Sequence, residues 1–282
     1  MVKAYRPTSL SEALLIRKYH DVIIFNGGTD LMVKYRNWTS VAPNFPKDVL
    51  YIGHLDELKH IDEKSDNLIF GSAVTYAQLL KHQHISHDLK NLIEQIGSIA
   101  IRNIGTLAGN ACNASPAGDI LPVLYALNAN LTLKSADHSR VVAIHDFIEG
   151  PGKTNLRSDE IVTEITLKNQ TFSHTFYRKV GTRKANAISK VSVFIVADVR
   201  DGRMEDIRIT IGACGPKVVR VYEAEQLLKG KIVVEIQNII SEVLNIVANK
   251  ITPIDDVRST QEYRTKVACN LIETFLVKEL IL

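Results

Sequence analysis

Two glycine-bearing segments far apart in the chain hold the residue types best suited to chemistry. They are Asn26-Gly27-Gly28-Thr29-Asp30 and Gly105-Thr106-Leu107-Ala108-Gly109-Asn110, the second running on through Ala111-Cys112-Asn113-Ala114-Ser115-Pro116-Ala117-Gly118-Asp119. A turn with little side chain lets successive backbone N–H groups approach an anion, and hydroxyls such as Thr29 and Thr106 add donors without bulk. Each segment suits a phosphate, and the pair suits a pyrophosphate. The dinucleotide fingerprint G-x-G-x-x-G is absent, because Gly27-Gly28 lacks the third glycine, which disfavours a Rossmann fold.

Other clusters offer less. His82, His84 and His87 do not share a helix face and are expected to be solvated surface histidines, not metal ligands. Cys112 is expected to be a small packed residue, with a redox thiol as the rival reading. Arg183-Lys184 and Arg258 suit solvated or inter-subunit charges. No Ser-His-Asp or paired-carboxylate arrangement stands out, so no residue is singled out as catalytic and none as a metal ligand.

The elements that must position the two segments follow from local pattern. Ser9-Leu10-Ser11-Glu12 is a capping box opening a helix through Tyr19. The β-branched run Val22-Ile23-Ile24-Phe25 then feeds directly into Gly27-Gly28. Strands are expected at residues 49–52 and 68–73, separated by a turn at Lys64-Ser65-Asp66-Asn67. Helices are expected at 76–81, capped by Thr75, at 88–97, and at 120–127, begun by Asp119. On this reading the second glycine segment is a turn between helices. Alternation at 130–134 and 160–167 marks half-buried strands of a mixed sheet, with a loop at 149–155 between them. Beyond residue 171 the pattern changes. Residues 191–199, the turn Asp201-Gly202-Arg203 and residues 207–211 form an antiparallel hairpin, and helices dominate from Glu223, the longest at 260–281. This shift places a domain boundary at residues 168–172.

At 282 residues, 45% of them apolar and 23% charged, the chain can build one large domain or two, and a net charge of +3 is too small to argue for nucleic acid or an anionic membrane. No run approaches the ~18 apolar residues of a membrane span and no signal core opens the chain, so a soluble, cytoplasmic protein is expected. The three cysteines, Cys112, Cys214 and Cys269, are widely separated and cannot make a disulfide framework or a local iron–sulfur site.

Taken together, several motifs resemble the flavin-binding subunit of the molybdenum hydroxylases, the family of carbon monoxide dehydrogenase medium subunits and the FAD domain of xanthine dehydrogenase. They are Tyr5-Arg6-Pro7, Asn26-Gly27-Gly28-Thr29-Asp30-Leu31, Ile69-Phe70-Gly71-Ser72-Ala73-Val74-Thr75 and Arg102-Asn103-Ile104-Gly105-Thr106 through Asp119. Gly150-Pro151-Gly152-Lys153-Thr154, Phe176-Tyr177-Arg178-Lys179 and Asp256-Val257-Arg258-Ser259-Thr260-Gln261-Glu262-Tyr263-Arg264 complete the set.

The resemblance implies an α+β protein. Residues 1–170 would be a vanillyl-alcohol-oxidase (PCMH)-type FAD-binding domain of two α+β subdomains, about 1–55 and 56–170. Residues 171–282 would be a smaller α+β C-terminal domain with an antiparallel sheet and helices. FAD would be held non-covalently, with Ile23, Ile24, Phe25, Asn26, Gly27, Gly28, Thr29 and Asp30, together with Thr106, Leu107, Ala108, Gly109 and Asn110, wrapping the pyrophosphate and its neighbours. Asn113 and Asp119 would lie on the flavin or ribityl side, and Val162 and Lys179 would contact the cofactor.

Ala108 stands where the family has the first of two adjacent glycines, which predicts strain if that position requires positive φ. The implied function is an electron relay. A large molybdopterin-binding subunit would oxidise substrate, a small subunit would carry two [2Fe–2S] clusters, and this chain's flavin would pass electrons to NAD, a quinone, another carrier or oxygen. The rival readings are a self-contained flavoprotein oxidase or reductase of the same FAD-domain type, and an interaction module without flavin.

Overall fold

The computed structural model describes residues 2–38, 42–183 and 185–280; Met1, Lys184 and Ile281 lie outside them. Two compact units divide the chain, the first comprising Met1–Asn113 and Asn128–Asn169, the second Ala114–Leu127 and Gln170–Leu282.

In the first unit a three-stranded parallel sheet places Asp48–Tyr51 between Ala4–Tyr5 and Val22–Phe25. The helix Leu10–Tyr19 buries Ala13 and Leu14 against Val22, Leu50, Ile52 and Ile161. Ser9 caps this helix by accepting from the Glu12 N–H. The reciprocal half of the expected box is displaced. Glu12 Oε2 accepts from Thr8 N at 2.6 Å and Thr8 Oγ1 at 2.9 Å instead of from Ser9 N, because Thr8 offers two donors to one carboxylate. At Thr75 the box is complete, with Gln78 as its partner, and it opens the helix Tyr76–Lys81.

The second sheet of this unit runs Ile61–Lys64, Asn67–Gly71, Ile161–Lys168, Asn130–Lys134, Ser139–Ala143, and every neighbouring pair is antiparallel. The expected mixed sheet is therefore not formed. Its edge strands return through turns too short for a parallel crossover, one of them at Ser65 with φ 52. Both edge strands were illegible in the pattern, since Asp62-Glu63-Lys64 and Ser139-Arg140 carry the polar residues that shield an edge. The expected loop at 149–155 instead holds a small hairpin of Ile148–Gly150 and Lys153–Thr154. On the central strand the register slips between Val162 and Glu164, and within this bulge the Thr163 carbonyl accepts from Ser72 N at 2.9 Å.

The second unit is a four-stranded antiparallel sheet of His174–Val180, Val191–Arg200, Arg203–Gly212 and Val219–Arg220. Its central hairpin turns at Asp201 (φ 50) and Gly202 (φ 72), the paired positive angles that match strand twist. Val193, Ile195, Ile209 and Ile211 on one face pack with residues of the helices Tyr222–Leu228, Ile240–Lys250 and Gln261–Thr274, among them Leu228, Val243 and Ile272. The final helix continues as a π-turn over Phe275–Glu279.

The other face carries the helix Leu121–Ala126, to which Thr210 Oγ1 donates at the Pro122 carbonyl, 2.9 Å away. Asp119 does not cap that helix as expected. Ile120 is the cap residue, without a side-chain bond, and the Asp119 carboxylate is engaged elsewhere. Among the described residues no helix is long and apolar enough to cross a membrane.

Candidate functional site

The first glycine segment leaves the parallel sheet where Val22–Phe25 ends. Gly28 has φ 73, the left-handed region, and a Cβ there would strike the Phe25 ring. Gly27 has no room either, since a Cβ would land on the Ile104 carbonyl oxygen, so backbone lies directly against backbone. The two segments therefore meet at Gly27 and Ile104-Gly105. Asn26 closes the junction by donating from Nδ2 to the Ser72 carbonyl at 2.6 Å and to Thr106 Oγ1 at 3.2 Å.

The second segment is not the turn that its glycines suggest. Leu107–Asn113 is a helix, and Thr106 Oγ1 accepts from Gly109 N at 2.9 Å in its first turn. Ala108 is helical and buried, so the strain expected there does not arise. The alanine with positive φ in this stretch is Ala114, at 47°.

Between these segments and the central strand lies a cavity of about 430 Å³, within the usual range for a small-molecule site. Of the residues expected to bind, Ile23, Ile24, Asn26, Gly27, Gly28, Thr29, Asp30, Thr106, Ala108, Gly109, Asn110, Asn113 and Val162 line it. Phe25 and Leu107 do not: Phe25 packs against Tyr51 at 4.7 Å between ring centroids, and Leu107 is in the core. Asp119 and Lys179 belong to the second unit. There they form an ion pair of 2.5 Å, their side chains 12% and 9% exposed, and Ser189 Oγ donates to the other Asp119 oxygen at 2.7 Å.

The wall also contains residues that sequence reasoning gave no role, among them Arg17, Lys34, Ser72, Tyr76, Cys112, Gly152 and Leu156. For Ser72 and Gly152 a signal existed, since both stand in motifs of the family pattern; Arg17 looked like an ordinary helix residue.

Among the described residues, the backbone N–H groups of Gly28, Thr29, Asp30 and Ala108 donate to no protein acceptor. Ser72 Oγ, Asn110 Oδ1 and Arg17 Nε are buried polar atoms of the same wall without a hydrogen-bond partner. A wall of unpaired donors around two close-packed backbone segments suits an elongated anion with further polar groups. Two charged side chains feel the crowding. Partial burial pushes the Asp30 carboxyl up, and it pushes the Arg17 guanidinium down against the opposing pull of Asp21 and Asp159.

Cys112 is neither packed away, as expected, nor a poised nucleophile. Its surface opens into the cavity, while the protein crowded around it pushes the thiol up to about 12. His84, one of the three clustered histidines, pairs its Nδ1 with Glu63 at 2.6 Å.

Residues 1–167 match the family described as the FAD binding domain in molybdopterin dehydrogenase, and residues 176–278 match the CO dehydrogenase flavoprotein C-terminal domain. The chain is similar to the nicotinate dehydrogenase FAD-subunit of Eubacterium barkeri, 31% identical over 80% of this chain and 79% of that protein. It is likewise similar to the glyceraldehyde dehydrogenase medium chain of Sulfolobus acidocaldarius, 29% identical over 93% and 92%. A crystal structure of Cu,Mo-CO dehydrogenase contains a chain that shares the fold, with a TM-score of 0.87 at 23% identity over 96% of this chain and 94% of that one.

Proposed function

The chain belongs to the FAD-binding medium subunits of the molybdenum hydroxylases, and from that premise we propose that it is the flavin relay of a multi-subunit complex, holding FAD in the cavity of its first unit. The observation that carries this reading is the junction at Gly27 and Ile104-Gly105, where side-chain-free backbone and unpaired N–H groups of both segments line one cavity.

In the proposal the N–H groups of Gly28, Thr29 and Asp30 and that of Ala108 take the diphosphate. Asn26 fixes the spacing of the two segments, and Asn110 and Asn113 offer amides to the polar parts of the dinucleotide. Ile23, Ile24 and Val162 supply apolar wall and exclude water from it. On the family pattern Asp119 and Lys179 are cofactor contacts as well. Bound FAD supplies reversible one- and two-electron redox chemistry, which none of the chain's own side chains can provide.

The partners are those the family implies, and the cysteines of this chain agree with them. Three dispersed cysteines cannot ligate a four-cysteine cluster, so the [2Fe–2S] clusters are assigned to a small partner subunit and the molybdenum cofactor to a large one. Electrons would arrive from the clusters and leave to NAD or another acceptor, in the cytoplasm.

The test is the absorbance spectrum of the purified chain, followed by co-purification. Stoichiometric flavin is expected, with molybdenum and iron appearing only in the complex, and flavin reduction by substrate only when the partners are present. A chain that neither retains nor takes up FAD would overturn the assignment.

A further inference from the structure

Ser72 brings to the cavity wall a fully buried hydroxyl that has no partner among the described residues. The residue is 2% exposed and its Oγ finds no hydrogen bond in the protein. Its backbone is fully engaged: the N–H donates to the Thr163 carbonyl at 2.9 Å and the carbonyl accepts from Asn26 Nδ2 at 2.6 Å. The side chain is therefore held in place by groups on the bulged central strand and on the first glycine segment. Through the same Asn26 amide it is tied to Thr106 Oγ1 of the second.

A hydroxyl left unpaired in such a place is costly, and alanine would occupy the space without that cost. The hydroxyl is repaid only when something entering the cavity completes its hydrogen bond. We propose that Ser72 Oγ is a hydrogen-bonding ligand of the bound FAD at the junction of the two glycine segments. This rests on the cavity being the FAD site.

The inference sets binding and stability against each other, and this separates a ligand role from a structural one. Apo wild type and apo Ser72→Ala are titrated with FAD, following flavin fluorescence, and both are melted without FAD. The expected result is an FAD Kd on the order of tenfold higher in the variant, the worth of one hydrogen bond, with an apo melting temperature equal to or above that of wild type. A Kd within twofold of wild type would overturn the proposal and mark the hydroxyl as merely hydrated. So would an apo variant that melts several degrees lower, because the hydroxyl would then be serving the fold. A wild-type chain that takes up no FAD removes the functional reading together with this inference, and that control tells the two failures apart.

Discussion

The two glycine segments look alike as strings of residues and do different work. In Asn26-Gly27-Gly28 both glycines are obligatory, Gly28 for its left-handed φ and Gly27 because the Ile104 carbonyl occupies the space of its Cβ. In Gly105 through Asn110 the backbone is extended and then helical; a Cβ on Gly105 would come within 2.9 Å of the Ile101 carbonyl oxygen, whereas one on Gly109 inside the helix would meet only Thr106 Oγ1, at 3.0 Å. The first segment is built by exclusion of side chains. The second is built by a helix start that a hydroxyl caps. A glycine motif therefore reports a need for bare backbone only where close approach or positive φ demands it.

The sharpest way to break this contrast is to add one methyl group to each segment. Gly28→Ala combines the strain of positive φ with a clash against Phe25, on the order of 3 kcal/mol, and Gly27→Ala drives backbone from backbone. Both should purify without flavin, and stoichiometric FAD in either would remove the pyrophosphate assignment. Asn26→Ala comes next. It strips the donor from the Ser72 carbonyl and Thr106 Oγ1, and should cost about 1–3 kcal/mol, read as roughly 5 °C in melting temperature together with weaker FAD binding. An unchanged melting curve would show that the segments hold together without it.

Gly109→Ala should do little. The helix gains up to about 1 kcal/mol from alanine while Thr106 gives way slightly, so FAD is retained and the melting temperature moves by a few degrees at most; flavin loss matching that of Gly28→Ala would erase the distinction. The smallest effect is expected at Cys112. With its thiol pushed up to about 12, only roughly one molecule in ten thousand is thiolate at pH 8. Alkylation of the apo chain should therefore be slow at pH 8 and accelerate about tenfold per pH unit, and Cys112→Ser should bind FAD within twofold of wild type. Rapid modification at pH 7 would contradict the crowded environment.

Much of the framework was legible because local forces suffice to write it. The strand Val22–Phe25, the capped helices Leu10–Tyr19 and Tyr76–Lys81 and the hairpin at Asp201-Gly202 follow from β-branching, capping side chains and turn residues within a few positions. The failures share a cause. Ile61–Lys64 and Ser139–Ala143 are polar edge strands, visible only once their neighbours are in place. Gly105–Asn110 reads as a turn in the sequence because glycine weakens a helix in isolation, whereas in the fold the Thr106 cap and the burial of Leu107, Ala108 and Ala111 hold it helical.

Within the candidate site the same division holds. Residue order alone determined that two anion-suited segments exist, that the cysteines cannot hold a cluster, and which family the assembled motifs resemble. Only tertiary structure decided that the segments touch at Gly27 and Ile104, that Asn26 bridges them, that Ser72 and Arg17 join the wall, and that Asp119 is engaged by Lys179 and Ser189. Propensity, capping and turn preference act over a few residues and are written in the chain. A cavity wall, an unpaired hydroxyl and an ion pair sixty positions apart in sequence exist only after packing has chosen which distant groups find partners and which are left for a ligand.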